Sequence, residues 1–489
     1  MPKSHSSVHP DVANASCQGP AWRWILVAAA LAIHVGLVLS IAKQPLPVNR
    51  APAARRAVIW PLHNDTVHRV GPAADAFAVY HAGNNLKNGH NPYDVREAPQ
   101  VTPYFYPFRY LPAVGQTLGR AAVALTPRHA WWAWIAVLEV LLAALIIVFW
   151  HRAPDWRLRC FSSCVLLLSS PYMLELHMGQ FTFATLAILV LGLLIAEGST
   201  QHRGVALVVS SAALSAAAML KVFPLVVTPA LVRFRRYLPA IAISGATVVL
   251  VSLTYFLPNP ASWQTFHRAN FSSPVGGMDA GNYGVVFLIH QIAFAIPIEW
   301  ITRDWLGFAS SFRTLALVLT SALVCLSRCD RVLIPVSVMI LAHFVGYIHV
   351  WEHHMSGVVV AGLALLLALV LPTSSKGPPK LAHPHPAVLA FVVMAVLALA
   401  LPTPFALFDQ AKDPTIEDPS VDWPLWQRLT LVASKAIPTL VLYGIGLGTL
   451  VSAGVGLPWP WFYLPPDRHQ PRERRNQRKR GTHRRGLRR

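Results

Sequence analysis

Three basic side chains lie inside or beside long apolar segments, where an ionisable group is rare. Lys221 interrupts the apolar run Gly204–Leu231, and His353 and His354 separate two other apolar runs. An ionisable residue within a membrane segment marks a functional site by default, although Lys221 could also extend its apolar stem and place its charge at an interface. Imidazole and ammonium groups donate hydrogen bonds to anions. These residues therefore indicate a binding site for an anionic group such as a phosphate.

His349 and His353 are four residues apart, so on a helix they would share one face and could bind a metal ion. Glu352 is the only Asp, Glu or Cys residue close to these two histidines in the sequence. A metal site usually takes three or four protein ligands. We therefore expect no metal site and no cofactor, and donation to an anion is the better interpretation of the histidines.

One carboxylate, Asp75, lies in the long segment 43–130 that separates the first two long apolar runs. A helix is predicted to begin near this residue. An acid in the first turn can cap a helix or complement its dipole, and this structural role is the simpler interpretation on spacing alone. Long ordered loops are nevertheless usually functional, so a role for Asp75 in chemistry stays open.

Two further polar residues, Arg109 and Gln180, lie where a ligand could be bound. Arg109 is surrounded by aromatic residues and could stack on them instead of meeting a phosphate. Gln180 follows Gly179 in a predicted turn between two apolar runs, and its amide can both donate and accept hydrogen bonds. Taken alone, that turn is an ordinary link between two helices.

The composition indicates that membrane helices must position these residues. Of the 489 residues, 54% are hydrophobic and 13% are charged, whereas soluble domains carry about 25% charged residues. This excludes a disordered chain and argues against a soluble enzyme. Five cysteines provide no disulfide framework in a chain of this length. We predict an all-α polytopic membrane protein with about twelve transmembrane helices.

The apolar runs give the expected places of these helices, while 110–125 and 285–300 are expected to lie against the membrane without crossing it. Gly204–Leu231 is expected to form two short helices broken near Lys221 and Pro224. The other predicted helices lie near Trp24–Ile41, Trp131–Trp150, Phe161–Leu174, Phe181–Ala196, Leu238–Leu257, Phe308–Leu326, Val332–Val350, Ser356–Leu371, Ala387–Leu401 and Leu429–Val451.

Short basic loops predict which ends of the helices face the cytoplasm. They place residues 1–23 and the basic tail 453–489 inside, with a transmembrane domain over 24–452, and they place segment 43–130 outside. The net charge of +20 is concentrated in that tail, so we expect it to bind anionic membrane lipids or only to fix topology, and not to bind nucleic acid. The protein is expected in a bacterial plasma membrane.

Six short motifs, taken in order, resemble glycosyltransferase family 87 over about Asp75 to Leu371. They are Asp75-x4-Tyr80-x-Ala82, Gly89-x-Asn91-Pro92-Tyr93-Asp94, Arg109-Tyr110-Leu-Pro112, Gly179-Gln180, Lys221-x2-Pro224 and Trp351-x-His353-His354. The chain departs from the family pattern in having Ala76 after the acid and Phe181-Thr182 after Gly-Gln.

The resemblance implies a membrane enzyme of GT-C architecture with a helical first outer loop. Such an enzyme would move a hexose, with mannose as the expected sugar, from a polyprenyl-phosphate-sugar to a lipid or glycan acceptor on the extracytoplasmic face, with inversion. The acid of the first outer loop, Asp75, would be the general base. Residues implied to bind the donor phosphate or the substrate are Arg109, Tyr110, Gln180, Lys221, His353 and His354.

Two other classes of protein remain alternatives at the level of sequence. A transporter or flippase would carry ionisable residues within broken helices near the bilayer midplane, and only the region of Lys221 and Pro224 fits this pattern. A non-catalytic membrane scaffold would have no convergent polar groups, whereas here several polar motifs are expected on one side.

Overall fold

The computed structural model describes residues 22–44, 46, 72–93, 102, 108–199, 202–271, 282–296, 298–371, 384–403 and 424–454. Within these ranges the chain is helical, apart from turns and one isolated β-bridge between Asn282 and Trp351. The all-α architecture predicted from the sequence is confirmed, and the segment 43–130 contains a helix where one was expected.

We number the helices in chain order. They are α1 (Trp22–Ala42), α2 (Ala74–Lys87), α3 (the continuous helical run 112–122), α4 (Pro127–Arg152), α5 (Trp156–Leu168), α6 (Ser170–Met178), α7 (Thr182–Gly198), α8 (Arg203–Leu220), α9 (Thr228–Val232), α10 (Leu238–Phe256), α11 (Pro260–Phe271), α12 (Val285–Ala295), α13 (Glu299–Arg303), α14 (Trp305–Leu326), α15 (Leu333–Gly346), α16 (Met355–Val370), α17 (Pro386–Ala400) and α18 (Leu425–Ser452). Three 3₁₀ turns cover Phe223–Val227, Arg235–Tyr237 and Glu352–His354.

Seven helices in the described part of the chain are long and apolar enough to cross a membrane, or up to eight if the bent pair Trp156–Met178 and Thr182–Gly198 is one span. The predicted count of twelve is not confirmed, because several predicted spans are shorter apolar helices, such as α15 and α17. The seven are Trp22–Ala42, Pro127–Arg152, Arg203–Leu220, Arg235–Phe256, Trp305–Leu326, Glu352–Val370 and Leu425–Ser452.

The span Glu352–Val370 lies at the centre of the helical assembly. Its apolar window is 89% buried, whereas the windows of Trp22–Ala42 and Trp305–Leu326 are 17% buried. A helix that is apolar on all sides and enclosed by other helices belongs to a core, and one with an exposed apolar surface is suited to lipid. The turn that carries His353 therefore begins the most enclosed of the seven candidate spans.

The run Gly204–Leu231 differs in part from its prediction of two short helices. The first helix, α8, is long enough to span a membrane alone, and it ends at Leu220 where Lys221 adopts an extended backbone. Pro224 follows in the first turn of the 3₁₀ segment. Because proline lacks an N–H and its ring clashes with the carbonyl four residues earlier, here that of Leu220, the break falls where the sequence predicted it.

Two glycines bring α2 and α3 into contact. A Cβ atom added to Gly83 would lie 2.1 Å from the carbonyl oxygen of Gly119, so no larger residue fits at this crossing. The Tyr80 hydroxyl donates to the carbonyl of Leu125 at 2.9 Å and ties α2 to the turn after α3. The helix α3 is not among the candidate spans, which agrees with the polar residues Gln116 and Arg120 within it.

A buried polar network ties α1 to the helices beside the site. His34 contacts the carbonyl of Leu167 through Nδ1 at 2.7 Å and Glu139 Oε2 through Nε2 at 2.8 Å. The Tyr172 hydroxyl donates to the other oxygen of Glu139 at 2.9 Å. In a low-dielectric interior such satisfied polar groups fix the register of helices.

Candidate active site

Asp75 lies in the first turn of α2 and its residue is only 6% exposed. The helix is capped by Ala73, which has φ 63° and makes no side-chain capping bond. The Ala73 N–H instead donates to the carbonyl of His177 at 2.6 Å. The predicted capping role of Asp75 is therefore wrong, although its charge still lies near the positive end of the helix dipole.

The Asp75 carboxylate is only partly hydrogen-bonded. The Tyr110 hydroxyl donates to Oδ1 at 3.4 Å, and Oδ2 is buried with no hydrogen-bond partner among the described residues. Burial raises the pKa of Asp75 to about 6, against the opposing effects of Lys221, Tyr110, Gln180 and Arg109. A buried carboxyl group with a free oxygen and a pKa near the working pH can accept a proton from a bound hydroxyl.

The turn between α6 and α7 packs directly against the start of α2. Gly179 has φ 69°, and a Cβ atom added to it would lie 2.6 Å from the Cβ of Ala76. Glycine supplies both the left-handed backbone and the space. The small residue Ala76, a departure from the family pattern, belongs to this same contact. Gln180 is thereby held within range of Asp75, whose pKa its side chain lowers.

A second buried carboxylate, Glu175, was missed in the sequence analysis. It is fully buried in α6, and its Oε1 accepts from the Phe183 N–H at 3.0 Å and from the Ser356 hydroxyl at 2.8 Å. An acid within an apolar segment is a functional signal of the kind that identified Lys221. Its partners on α7 and α16 show that it joins the helices around the site.

Lys221 is turned toward the two carboxylates. Its Nζ donates to the Thr182 hydroxyl at 2.7 Å, across from the break that ends α8. It lies within electrostatic range of Asp75 and Glu175. The Lys221 ammonium group therefore contacts a buried hydroxyl in the region of the two carboxylates.

The turn Glu352–His354 brings two imidazoles to the same region. His353 is 3% exposed, and neither of its ring nitrogens has a hydrogen-bond partner among the described residues. His354 Nδ1 accepts from the Trp351 N–H at 3.1 Å, and the two imidazole rings are 4.2 Å apart. Both histidines lie within electrostatic range of Lys221.

The predicted helical face shared by His349 and His353 is wrong. His349 lies in the non-helical segment between α15 and the 3₁₀ turn, so the spacing of four residues does not align the two rings. The 3₁₀ turn begins only at Glu352. In the described part of the chain, no group of three or more His, Cys, Asp and Glu residues could hold a metal ion.

Buried polar contacts hold this histidine turn from outside. Glu352 Oε1 accepts from the N–H of Thr403 at 3.2 Å and from its hydroxyl at 2.7 Å. Lys435 of α18 lies within electrostatic range of Glu352 and donates to the carbonyls of Ala398 and Leu399 at 3.2 and 3.0 Å, and to that of Leu401. The last long helix thus supports the start of α16.

Tyr110 and Arg109 complete the predicted set at the other side of Asp75. The Tyr110 ring is 4.8 Å from that of Phe181, and its carbonyl accepts from the Tyr93 hydroxyl at 2.9 Å. The Asn91 side chain accepts from the Tyr93 N–H at 3.0 Å, so this motif forms the turn predicted for it. Arg109 is exposed and within electrostatic range of Asp75. Asp94 lies outside the described residues.

The structure therefore brings the predicted site residues to one region where α2, the α6–α7 turn, the end of α8 and the histidine turn meet. A sequence profile described as Glycosyltransferase family 87 matches residues 99–347, more than half of the chain. The chain belongs to glycosyltransferase family 87. Together with the candidate spans, this makes the protein a membrane glycosyltransferase.

Two other comparisons add little to this assignment. No curated protein matches the chain. Among solved structures, the chain is similar to ArnT from Cupriavidus metallidurans in the apo state, with a TM-score of 0.35 and 14% identity over 88% of this chain and 77% of that one.

Proposed function

We propose that this family 87 glycosyltransferase moves a hexose, with mannose as the expected sugar, from a polyprenyl-phosphate-sugar to a lipid or glycan acceptor. One observation carries the proposal. The buried carboxylate of Asp75 keeps an oxygen without a partner among the described residues, beside the cationic Lys221. Transfer from a sugar phosphate requires such an arrangement, in which a base lies next to an anion-binding site.

In the proposed reaction, an acceptor hydroxyl attacks C1 of the hexose while the bond from C1 to the phosphate oxygen breaks. Asp75 accepts the hydroxyl proton, and the bonding electrons leave with the polyprenyl phosphate. Lys221, His353 and His354 offer donors to the charge that grows on that phosphate, and such donors are most effective where water is excluded. One displacement at C1 inverts the configuration of the sugar.

Asp75 is a better candidate for the base than Glu175. Glu175 Oε1 already accepts two hydrogen bonds, from the Phe183 N–H and the Ser356 hydroxyl. These contacts orient Glu175 between α6, α7 and α16. Each carboxylate keeps one buried oxygen without a partner among the described residues, but the other oxygen of Asp75 accepts only a long hydrogen bond from Tyr110, so Asp75 is less firmly held and freer to meet an acceptor. We assign Glu175 the role of holding Lys221 and the surrounding helices in place.

The active site is proposed on the extracytoplasmic face of a bacterial plasma membrane. The support is the positive-inside rule, because the basic loops 151–159 and 233–236 lie at the opposite helix ends from α2 and the histidine turn. Cysteine labelling tests on which side of the membrane the site lies. After the native cysteines are replaced, a single cysteine is introduced at Asn91, and one at position 235 serves as the cytoplasmic control. Labelling of Asn91 only after membrane permeabilisation would contradict the assignment.

The transporter and scaffold alternatives are set aside because the chain belongs to a family of glycosyltransferases. Residues 455–489 of the basic tail lie outside the described residues, and binding of the tail to anionic lipids stays a proposal based on charge. No nucleic acid partner is proposed.

Transfer itself is tested with purified protein in liposomes, with radiolabelled polyprenyl-phosphate-hexoses as donors and a membrane lipid extract as acceptor. The expected result is a labelled lipid or glycan formed from the mannose donor, with less or none from the glucose and galactose donors. The Asp75→Asn variant is the control for chemistry at this site. Transfer from nucleotide sugars alone would contradict the proposed donor class.

A further inference from the structure

Arg313 is an arginine on the exposed surface of a membrane span. It lies within α14, the span whose apolar window is 17% buried, and its side chain is exposed. An arginine facing lipid is costly unless it reaches an interface or meets an anion. Packing alone therefore does not explain why an arginine occupies this exposed position within a membrane span.

The guanidinium of Arg313 makes no hydrogen bond or ion pair with any described residue. Among the described residues, the guanidinium faces the aromatic ring of Tyr347, whose centroid lies 5.7 Å from Cζ. By contrast, Arg152 donates to the carbonyl of Leu194 at 2.7 Å and Arg236 donates to Glu197 at 3.1 Å. All five N–H donors of Arg313 remain available, in the fork geometry that matches a phosphate.

The backbone holds Arg313, near the middle of α14, beside the site end of α15. A Cβ atom added to Gly346 would lie 3.0 Å from the Cα and 3.2 Å from the Cγ of Arg313, so α14 and α15 are in close contact here. Gly346 is the last residue of α15, directly before the segment that leads to the histidine turn. The arginine is therefore fixed beside the site and not at a distant helix end.

A row of rings connects Arg313 with the active site. The Tyr347 ring lies 6.1 Å from the ring of His349 and 6.1 Å from that of His354. His354 is in turn 4.2 Å from His353. Every member of this row can donate a hydrogen bond, and none carries a negative charge. Such a row suits an anion that moves from the lipid-facing surface toward Lys221.

We propose that Arg313 and Tyr347 form a docking site for the phosphate of the lipid-linked donor, on the path by which that phosphate reaches the active site from the bilayer. The identity of the lipid rests on the proposed function. The ligand class is the phosphate monoester of a long isoprenoid, held by the guanidinium fork while its chain stays among lipids. Arg313 binds the donor before the reaction and does not contact the reacting atoms.

Donor kinetics in liposomes separate this role from a role in chemistry. The Arg313→Gln variant should raise the KM for a long-chain donor about ten- to hundredfold, as expected for the loss of a charged hydrogen bond, and leave kcat unchanged. A short-chain, water-soluble donor reaches the site from water, so its KM should not change. Arg313→Lys should recover part of the long-chain effect.

The control is Arg128→Gln, which removes another arginine beside an aromatic ring, 6.0 Å from Trp132. This variant should leave both donors unaffected. Unchanged kinetics in Arg313→Gln would overturn the proposal, and so would an equal loss of kcat with the long and short donors. Thermal stability, compared across the variants, identifies any loss that comes from misfolding.

Binding measurements test the docking site even if the proposed reaction is wrong. Polyprenyl phosphate without a sugar should bind the parent protein in nanodiscs and bind Arg313→Gln about ten- to hundredfold more weakly. Inorganic phosphate at millimolar concentration should not displace it. Displacement by inorganic phosphate, or an equal loss of phosphatidylglycerol binding in the variant, would show a general anion site and overturn the proposal.

Discussion

The substitution Asp75→Asn separates a catalytic role of the carboxylate from a structural one. Asparagine keeps the shape and can still accept the hydrogen bond from Tyr110, recorded at 3.4 Å, but it cannot take a proton from an acceptor hydroxyl. A general base contributes about 10²–10⁴ to a rate. We therefore expect kcat to fall by about that factor, with the KM for the donor little changed.

The same variant should not lose stability. Burial raises the pKa of Asp75 to about 6 from an ordinary value of 3.8, so the folded chain binds this proton more tightly than the unfolded chain. The stability from that proton is present below the ordinary pKa and is lost as the pH rises through about 6, by up to about 3 kcal/mol. At pH 7.5 the asparagine avoids this loss, and the thermal inactivation temperature should stay equal or rise.

The assay is single-turnover transfer from radiolabelled donor, measured between pH 5 and 8 in liposomes. Because the base must be ionised, the parent rate should rise with pH through about 6 and then level off, and the residual rate of the variant should lack this step. Glu175→Gln is the matched control, since Gln keeps an oxygen for the Phe183 N–H and the Ser356 hydroxyl. A parent-like rate in Asp75→Asn, or an equal loss in both variants, would refute the assignment.

Four further substitutions or deletions have expected outcomes. His354→Ala should raise the donor KM more than it lowers kcat, as donor titrations would show. Gly179→Ala forces a left-handed alanine against α2, 2.6 Å from a side chain, and should lower both thermal stability and activity by a cost of at least about 1–2 kcal/mol. Lys435→Met removes the donor to the buried carbonyls of Ala398, Leu399 and Leu401 and should lower thermal stability, since a buried polar group that loses its partner costs about 1–3 kcal/mol. Truncation after Asp467 should leave transfer intact in protein that inserts correctly.

The helix positions could be predicted because a bilayer demands long apolar runs. The predicted Trp24–Ile41 corresponds to the observed Trp22–Ala42, and Leu429–Val451 corresponds to Leu425–Ser452. The break after α8 was also predictable, because Pro224 and Lys221 are incompatible with a continuous apolar helix. The number of membrane spans was harder to predict, because a run of apolar residues does not reveal whether a helix ends early inside the protein.

The site could be predicted only where a residue's type conflicts with its surroundings or matches a motif. Lys221 fulfilled the first condition and Asp75 the second. Glu175 was missed because it directly follows the predicted span Phe161–Leu174, whereas in the structure it lies within the buried helix α6. Arg313 and Lys435 also fulfil the first condition, as charged residues within apolar spans, but their roles depend on contacts between helices far apart in sequence.

The configuration of the transferred sugar tests the central claim most directly. With a β-linked polyprenyl-phosphate-hexose as donor and purified protein in liposomes, NMR analysis of the product reports the anomeric configuration. A single displacement with Asp75 as base predicts an α-linked product. The Asp75→Asn variant should not form this product at the parent rate. A β-linked product would require a covalent intermediate on a second carboxylate such as Glu175, and it would contradict the proposed mechanism.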